Sequence, residues 1–169
     1  MRENFKDLVS IIMNCHNGEK YLKQSINSII SQTYSNWELI FWDNLSKDES
    51  KNIVKDFDDR RIKYHSSKNF LKLYDARNHA IKKATGKYIT FLDTDDYWIK
   101  EKLEKQVNFI KKNKKYKLIY SNFLILDEIK NTKKKLSEYL PSGFITKKLL
   151  DNYRLGILSV FLDKEIFEN

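Results

Sequence analysis

The sequence places two carboxylates one residue apart at the end of an apolar run. Asp93 and Asp95 flank Thr94 directly after residues 89–92, which read Ile-Thr-Phe-Leu. Such a pair can share a divalent cation, and Mg2+ and Mn2+ prefer oxygen ligands of this kind. A cation held there can bridge the phosphates of a nucleotide and neutralise a departing diphosphate. The alternative is that the acids only cap and charge the next helix, and the motif alone leaves both interpretations open.

Two further polar positions could contact the same ligand. Asp43 or Asn44 ends the run 37–42 and could hydrogen-bond a base or a ribose, although both residue types are also common in plain turns. Arg77 lies near the start of a helical segment, where it could bind phosphate oxygens with two hydrogen bonds. The alternative for this arginine is a surface ion pair with Asp75 or another neighbour.

Other reactive residue types do not form a recognisable site. The single cysteine, Cys15, excludes an intramolecular disulfide and a cysteine-based zinc site, and the sequence offers it no activating partner. His16, His65 and His79 are not spaced as a set of metal ligands. The chain also lacks the Gly-rich loops of dinucleotide oxidoreductases and of P-loop NTPases, which argues against both classes.

The elements that must position these residues alternate between strands and helices. Apolar runs predict strands, and apolar residues at helical spacing predict helices. The predicted strands are residues 8–13, 37–42, 61–65, 87–92 and 117–120, with weaker signals at 123–126 and 158–162. The predicted helices are residues 19–32, 53–57, 74–84 and 99–113, with short ones at 146–152 and 164–169. Ser46 and Glu49 predict a capping box before the second helix, and Gly86 is predicted to end the third.

This alternation predicts an α/β fold, with a mainly parallel central sheet and helices on both faces. Ligands of such sheets sit outside the carboxyl ends of the strands. Three polar clusters follow predicted strands there, at residues 14–17, 43–46 and 93–96. Their convergence on one edge is the strongest functional signal in the sequence.

Length and charge narrow the class of protein. A chain of 169 residues with 41% hydrophobic residues fits one domain with its own core. The net charge of +9 is regional, because residues 100–117 hold eight Lys against two Glu and residues 130–148 hold six Lys against one Glu. These lysines could form a solvated face or attract the protein to an anionic membrane, and the sequence leaves both interpretations open. Nucleic acid is not an expected partner, since the basic segments carry no zinc-finger, RNA-recognition or basic-zipper pattern.

The sequence also predicts where the protein works. The N-terminus has no apolar run of signal-peptide type, and no segment approaches the roughly 18 apolar residues that span a bilayer. A single cysteine fits a reducing compartment. We therefore expect a cytoplasmic protein, and the alternative of attraction to an anionic membrane would place it at the inner face of that membrane.

Several motifs together resemble one family. Residues 9–50, VSIIMNCHNGEKYLKQSINSIISQTYSNWELIFWDNLSKDES, are similar to the opening of a family 2 glycosyltransferase with the GT-A fold. Residues 76–81 and 84–89, ARNHAI and ATGKYI, resemble the next motif of that family, and FLDTDD at 91–96 resembles its F-L-D-x-D-D. The resemblance covers about residues 8–120 in order and spacing, and residues 155–168 weakly.

The resemblance implies transfer of a sugar from a nucleotide diphosphate donor, a UDP-sugar, to a hydroxyl of a glycan or lipid-linked saccharide, with inversion and with Mn2+ or Mg2+. It implies that Asp95 ligates the metal directly and that Asp93 contacts the ribose or the metal's water shell. Asn14 and His16 would lie by the base, and Asn44 would meet the uracil edge. The implied substrate-binding residues are Asn14, His16, Asn17, Asp43, Asn44, Arg77 and Asp93, and the implied metal ligands are Asp93 and Asp95.

Some positions depart from the family pattern. His16 stands where the family usually has Tyr, and Asn44 where it more often has a second Asp. Asn still offers a donor and an acceptor, so nucleotide binding is expected while the base preference is less defined. The family's general base lies beyond a Gly-Gly-Phe segment, and this chain ends at residues 167–169 before that point, so no catalytic base is assigned. Asp127 and Asp163 follow no motif of the family and are not assigned that role.

The expected organisation is one glycosyltransferase domain over residues 1–169, cut short at its C-terminus. Residues 1–122 would form the nucleotide-sugar-binding part, and residues 123–169 the start of an incomplete acceptor-side part. Two alternatives stay open. One is a non-catalytic nucleotide-sugar-binding fragment of the same fold. The other is a phosphohydrolase with Asp93 as nucleophile, although that class normally carries the motif on its first strand and here it follows the fourth.

Overall fold

A central strand, β1, organises the first half of the chain. The computed structural model describes residues 7–151, 153 and 155–167. The first elements are β1 (Val9–Cys15), α1 (Glu19–Ile30), β2 (Trp37–Asp43), α2 (Ser50–Lys55), β3 (Ile62–Ser66), α3 (Leu73–Ile81), β4 (Tyr88–Phe91) and α4 (Lys102–Lys112). The later ones are β5 (Leu118–Ile119), β6 (Leu124–Asp127), β7 (Thr132–Lys135), α5 (Thr146–Asp151) and β8 (Phe161–Asp163), with single 3-10 turns at Ile157–Ser159 and Lys164–Phe167.

Six of these strands form one sheet in the order β3-β2-β1-β4-β8-β5. β1, β2, β3 and β4 run parallel to one another, whereas β8 pairs antiparallel with both β4 and β5. The strand order therefore reverses between β1 and β4, and such a reversal opens a crevice at the carboxyl edge of the sheet. The predicted α/β fold with a mainly parallel sheet is confirmed.

The sheet is buried on both faces because its central strands are apolar along their whole length. Alternate side chains of β1 point to opposite faces, so Ile11 joins one core cluster and Ile12 the other. Leucine, isoleucine and valine side chains of α1, α2 and α4 pack into the first cluster, and Ala76 and Ala80 of α3 pack into the second. Full burial on both sides explains why these strands read as unbroken apolar runs.

Two predicted helix boundaries were wrong. α2 begins only at Ser50 and its preceding residue makes no capping hydrogen bond. Ser46 lies four residues before this helix, and its hydroxyl instead accepts a bond from the Asn17 backbone N–H at 3.0 Å. The third helix ends at Ile81, five residues before Gly86. Gly86 instead lies against the start of β1, where a Cβ would stand 2.6 Å from the carbonyl oxygen of Leu8.

The later strands differ from the prediction in a different way. The strand predicted at 123–126 is β6, but it pairs with β7 in a separate two-stranded hairpin. β7 reads Thr-Lys-Lys-Lys, a pattern without the apolar alternation that predicts a strand. The segment 158–162 divides into a 3-10 turn and β8, and the predicted last helix is a 3-10 turn up to Phe167. Residues 152 and 168–169 of the predicted helices lie outside the described residues.

No helix in the described part of the chain is long and apolar enough to cross a bilayer.

Candidate functional site

The loop after β4 brings an acidic turn to the crevice beside β1. The Asp96 N–H donates to the Asp93 carbonyl at 3.2 Å, which closes a turn over residues 93–96. This turn leaves Asp95 exposed and Asp93 half-buried. Burial raises the pKa of Asp93, the Arg77 guanidinium opposes that rise, and the charge of Asp95 adds to it. One acid of the motif is therefore held by the protein while the other faces outward.

Arg77 is the cation that holds Asp93 in place. It lies on α3, and its Nη2 stands 3.3 Å from Asp93 Oδ1. The guanidinium also lies 5.8 Å from the centroid of the Phe91 ring. The ion pair thus joins residues 16 positions apart rather than the neighbouring Asp75. The structure brings Arg77 and the acidic turn together, as the position of each at the same sheet edge predicts.

Asp96 is a functional candidate that sequence reasoning left without a role. Burial, followed by the charges of Asp95 and Asp93, raises the pKa of its carboxyl to about 6. The signal in the sequence is three acids within four residues. Like charges held together in this way are costly, and a bound cation would relieve that cost.

The acidic turn fits a divalent cation only in part. Its donors are carboxylate oxygens, the type that Mg2+ and Mn2+ prefer. Within the described residues, however, no group of three or more His, Cys, Asp or Glu side chains is placed to hold a metal ion. A cation bound at Asp93 and Asp95 would therefore need its remaining ligands from a substrate or from water.

The end of β1 supplies an unpaired polar group. Asn14 lies opposite Trp42 of β2, on the face of the sheet that α3 covers. Its amide nitrogen is buried and has no hydrogen-bond partner among the described residues. Buried donors are nearly always satisfied in native proteins, so this amide is suited to donate a hydrogen bond to an oxygen or nitrogen of a ligand.

The loop after β1 presents a histidine ring to solvent. His16 Nδ1 lies 2.9 Å from the carbonyl oxygen of Asn44, and its ring meets Phe70 edge-on at 4.8 Å between centroids. Asn17 has a left-handed backbone with φ of 55° and accepts a bond from the Lys47 N–H at 2.8 Å. These contacts tie the loop after β1 to the loop after β2.

The two polar residues at the end of β2 have structural partners. Asp43 accepts bonds from the Ser46 N–H at 2.7 Å and from the Tyr64 hydroxyl at 2.6 Å. Burial and this bond to Asp43 raise the pKa of Tyr64. The Asn44 amide donates to the Leu71 carbonyl at 2.8 Å and accepts from the Leu71 N–H at 3.0 Å. Asn44 thus fixes the loop before α3, and its contact with a base edge stays a prediction.

Cys15 ends β1, and Gly18 lies in the loop that follows it. Cys15 is buried, and burial raises the pKa of its thiol, which disfavours the nucleophilic thiolate. A Cβ on Gly18 would stand 2.7 Å from the Thr94 hydroxyl, so the loop after β1 packs closely on the acidic turn. Only glycine allows this approach without a shift of the loop.

The two acids left unassigned by the sequence are not equivalent. Asp163 pairs in register with Tyr88, the first residue of β4, so it lies at the amino edge of the sheet, opposite the acidic turn. Asp127 lies in the β6–β7 hairpin, where its carboxylate accepts a bond from the Lys130 N–H at 3.0 Å. The structure therefore separates Asp163 from the crevice that holds the other candidates. The rings of His65 and His79 both stack on Trp42.

Known proteins are similar to this chain in sequence and in fold. The family model described as Glycosyl transferase family 2 matches residues 10–162. The chain is 40% identical over 160 residues to the Escherichia coli protein named UDP-Glc:alpha-D-GlcNAc-diphosphoundecaprenol beta-1,3-glucosyltransferase WfgD, covering 94% of this chain and 61% of that protein. It is 38% identical over 119 residues to a second Escherichia coli glucosyltransferase of the same description, WfaP, covering 70% of this chain and 47% of that protein.

Solved structures confirm the predicted GT-A fold. The S. aureus TarS 1–349 crystal structure in complex with UDP-GlcNAc matches with a TM-score of 0.73 at 20% identity, over 95% of this chain and 46% of that one. At this identity the likeness concerns the fold. The chain spans about half to three fifths of the length of these relatives.

Proposed function

Because this chain belongs to glycosyl transferase family 2, we propose that it binds a UDP-sugar at the carboxyl edge of the sheet and transfers the sugar, with inversion, to a hydroxyl of a glycan or lipid-linked saccharide. The observation that carries the proposal is the acidic turn at the strand-order reversal, with Arg77 paired to Asp93. The name of the relative WfgD supports the donor and the class of acceptor, since it includes UDP-Glc and a diphosphoundecaprenol-linked sugar. Family membership leaves the phosphohydrolase alternative without support.

The proposed metal site uses Asp95 as direct ligand and Asp93 as ligand or hydrogen-bond partner of a coordinated water. Mn2+ or Mg2+ bound there would neutralise charge on the departing diphosphate. Asp95 is exposed and free to turn toward a ligand, whereas Asp93 is held by Arg77. Arg77 can also bind phosphate oxygens from the side of α3, since a guanidinium offers five donors and Asp93 engages one edge.

The proposed nucleoside site lies between the loops after β1 and β2. The unpaired amide of Asn14 offers a hydrogen-bond donor, and the exposed His16 ring offers an aromatic face beside Phe70. Hydrogen bonds to Asn17 and Asp43 hold the two loops in place. The Asn44 amide, beyond its two bonds to Leu71, has one more N–H hydrogen and one more lone pair with which it can bond a base. Base recognition in this arrangement is shared between direct contacts and loop positioning.

The remaining chain would form the acceptor side. We assign residues 1–122 to the donor part and residues 123–169 to the acceptor part. A lipid-linked acceptor places the reaction at a membrane surface, and the exposed lysines of residues 130–148 are suited to anionic headgroups. The cytoplasmic location stays a prediction.

The test is calorimetric titration of the 169-residue chain with UDP, with and without Mn2+. We expect measurable binding that requires the metal, and Asp95→Asn should weaken it at least tenfold because one anionic ligand becomes neutral. Asp58→Asn is the matched control, since Asp58 is an exposed acid in the loop before β3, at the opposite edge of the sheet. Equal UDP affinity with and without metal would reject the metal site.

Binding without transfer is the second candidate function. It is favoured by the position of Asp163, which lies at the edge opposite the acidic turn and cannot serve as the base there. A missing base costs typically 10²–10⁴-fold in rate. The discriminating measurement is UDP release from UDP-sugars with and without glycan acceptors. Robust acceptor-stimulated release would place the base within this sequence and remove this candidate.

A further inference from the structure

The β6–β7 hairpin leaves four aliphatic side chains exposed to solvent. Leu124 is 55% exposed, Ile125 49% and Leu126 39%. Ile129, at the hairpin turn, is 98% exposed. We call residues 124–135 the basic hairpin, because its second strand is made of Thr132 and three lysines.

The lysines of the basic hairpin lie directly opposite these aliphatic residues. Leu124 pairs with Lys135, Ile125 with Lys134, and Leu126 with Lys133. Opposed residues of an antiparallel pair share a face, so both faces of the hairpin combine an aliphatic side chain with an ammonium group. Among the described residues, neither Lys133 nor Lys134 forms an ion pair, whereas Lys130 and Lys135 have exposed acidic neighbours.

The tip of the basic hairpin lies near the candidate site. The hydroxyl of Tyr21 donates to Glu128 Oε2 at 2.8 Å. Tyr21 is in the first turn of α1, which begins four residues after β1 ends. The tip is thus fixed beside the carboxyl edge of the sheet, on the side of the loop that follows β1.

We propose that the basic hairpin docks this protein onto an anionic lipid bilayer. The lysines would meet the headgroups, and Ile129 with its aliphatic neighbours would enter the interface, where combined charge and apolar burial give binding. This inference rests on the proposed function, because a membrane held at the hairpin tip brings a lipid-linked acceptor next to the donor site.

Composition favours a bilayer over a single-stranded nucleic acid. Proteins that bind single strands combine positive charge with aromatic side chains on which bases stack. The basic hairpin, LILDEIKNTKKK, contains no aromatic residue. Aliphatic side chains at an exposed turn serve a lipid interface and give a base nothing to stack on.

The other lysine-rich segment offers a matched control. Residues 100–117 carry more net charge, with eight Lys against two Glu, whereas the basic hairpin has four Lys against Asp127 and Glu128. Phe109, however, is the one large apolar side chain exposed in residues 100–117. Two of its lysines are also engaged, Lys111 with Asp7 at 2.7 Å and Lys117 with Glu165 at 2.5 Å. If positive charge alone caused membrane binding, both segments would contribute to it, whereas the proposed docking depends on the hairpin.

The experiment is sedimentation of the full chain with vesicles of phosphatidylcholine alone or of equal parts phosphatidylcholine and phosphatidylglycerol, at low salt. We expect binding to the anionic vesicles only. Replacing Lys133, Lys134 and Lys135 together by Gln should lower the partition coefficient at least tenfold, since each lysine near an anionic surface contributes up to about fivefold. Ile129→Asn, which keeps the charge, should lower it severalfold.

The control variant replaces Lys105, Lys112 and Lys114 by Gln and should change vesicle binding less than twofold. An equal loss in this control, or equal binding to neutral vesicles, would overturn the proposal. The proposal would also be overturned if the chain self-associates and the hairpin variants abolish that self-association without changing vesicle binding. UDP titration of each variant separates the two proposals. If a hairpin variant keeps its UDP affinity but loses vesicle binding, the docking proposal is supported. If the wild-type chain binds vesicles but not UDP, only the proposed UDP-sugar site is contradicted.

Discussion

The sheet and the segment 120–156 differ in how much of their surface is buried and in what holds them together. In the sheet, strands such as β2 are buried at every position, and two apolar clusters fill both faces. Among the described residues of 120–156, Ser137 is the single buried one, and it is polar. This outer segment is held instead by hydrogen bonds, for example from Tyr120 to the Pro141 carbonyl and from Asn122 to the Ser137 carbonyl.

The difference shows which part of the molecule can hold a site rigidly. The acidic turn, Arg77 and Asn14 all extend from elements of the sheet core, where close packing resists displacement. The outer segment has little core of its own, so its exposed aliphatic and basic residues are available to a partner. We expect unfolding free energies to follow the same division.

The largest expected effect is a core truncation. Phe41 of β2 is fully buried, and Phe41→Ala should lower the free energy of unfolding by about 3–5 kcal/mol. Leu126→Ala in the outer segment should change it by less than about 0.5 kcal/mol, because the side chain is already exposed. Urea unfolding followed by circular dichroism measures both. A comparable loss for Leu126→Ala would show that the two regions share one core.

A pair of glycines sharpens the comparison. A Cβ on Gly86 would stand 2.6 Å from the Leu8 carbonyl oxygen and 2.8 Å from the Ser10 backbone nitrogen, and backbone atoms of β1 cannot shift cheaply. Gly86→Ala should therefore cost about 3 kcal/mol. A Cβ on Gly156 would meet only the side chains of Phe123 and Leu158, which can rotate, so Gly156→Ala should cost about 1 kcal/mol. Thermal melting of both variants is the check, and the reverse order would contradict the division.

Glu38 tests the electrostatics of the sheet region. It is buried and accepts bonds from the Ser10 hydroxyl and the Lys63 ammonium, both at 2.6 Å, and from Thr85. Burial alone would raise the pKa of Glu38, but the bonds from Lys63, Ser10 and Thr85 outweigh it and hold the pKa below its usual 4.5. Because the folded protein favours the carboxylate, this stabilisation is present above pH 4.5 and is lost as the pH falls below it.

Glu38→Gln should therefore destabilise the protein by about 2 kcal/mol at neutral pH and remove that part of its acid sensitivity. Glu138→Gln is the control, since Glu138 is exposed in the outer segment and pairs only with Lys135. Urea midpoints between pH 3 and 7 measure both, roughly spanning the usual carboxylate range. Equal acid sensitivity of wild type and Glu38→Gln would refute the assignment.

Lys102, at the start of α4, tests the cost of burying an amine beside Thr90 of β4, and its expected effect is the smallest. Its ammonium is buried over the Trp98 ring, bonds to the Thr90 hydroxyl at 2.9 Å and has no carboxylate partner among the described residues. Burial holds the pKa of Lys102 well below its usual 10.5. The unfolded chain then binds more protons than the folded one, so stability rises with pH until the pH reaches about 10.5.

Lys102→Met should raise the free energy of unfolding by about 1 kcal/mol at neutral pH and flatten its rise with pH. Lys105→Met, on the exposed side of the same helix, should keep the wild-type pH dependence. Unfolding at a series of pH values from 7 to 10 gives the slope, in roughly the range where an ordinary lysine is still protonated. A Lys102→Met slope equal to that of wild type would contradict the lowered pKa of Lys102.

The order of elements up to β4 could be predicted because each follows from a local pattern. The runs ending at Asp43 and at Asp93 are apolar and bounded by polar clusters, and the structure ends β2 and β4 within two residues of those points. The hairpin partner β7 could not be predicted, since Thr-Lys-Lys-Lys carries no alternation of its own. It forms a strand only because β6 lies beside it.

The sequence by itself determined the alternation of strands and helices, the family and the position of the acidic turn at a strand end, because hydrophobic periodicity and short motifs are local properties. Only the tertiary structure decided that Arg77 pairs with Asp93, that the Asn44 amide is engaged by Leu71, and that Asp163 lies at the wrong edge of the sheet. The physical reason is that these contacts join residues far apart in the chain, and their geometry depends on how the sheet orders and directs its strands.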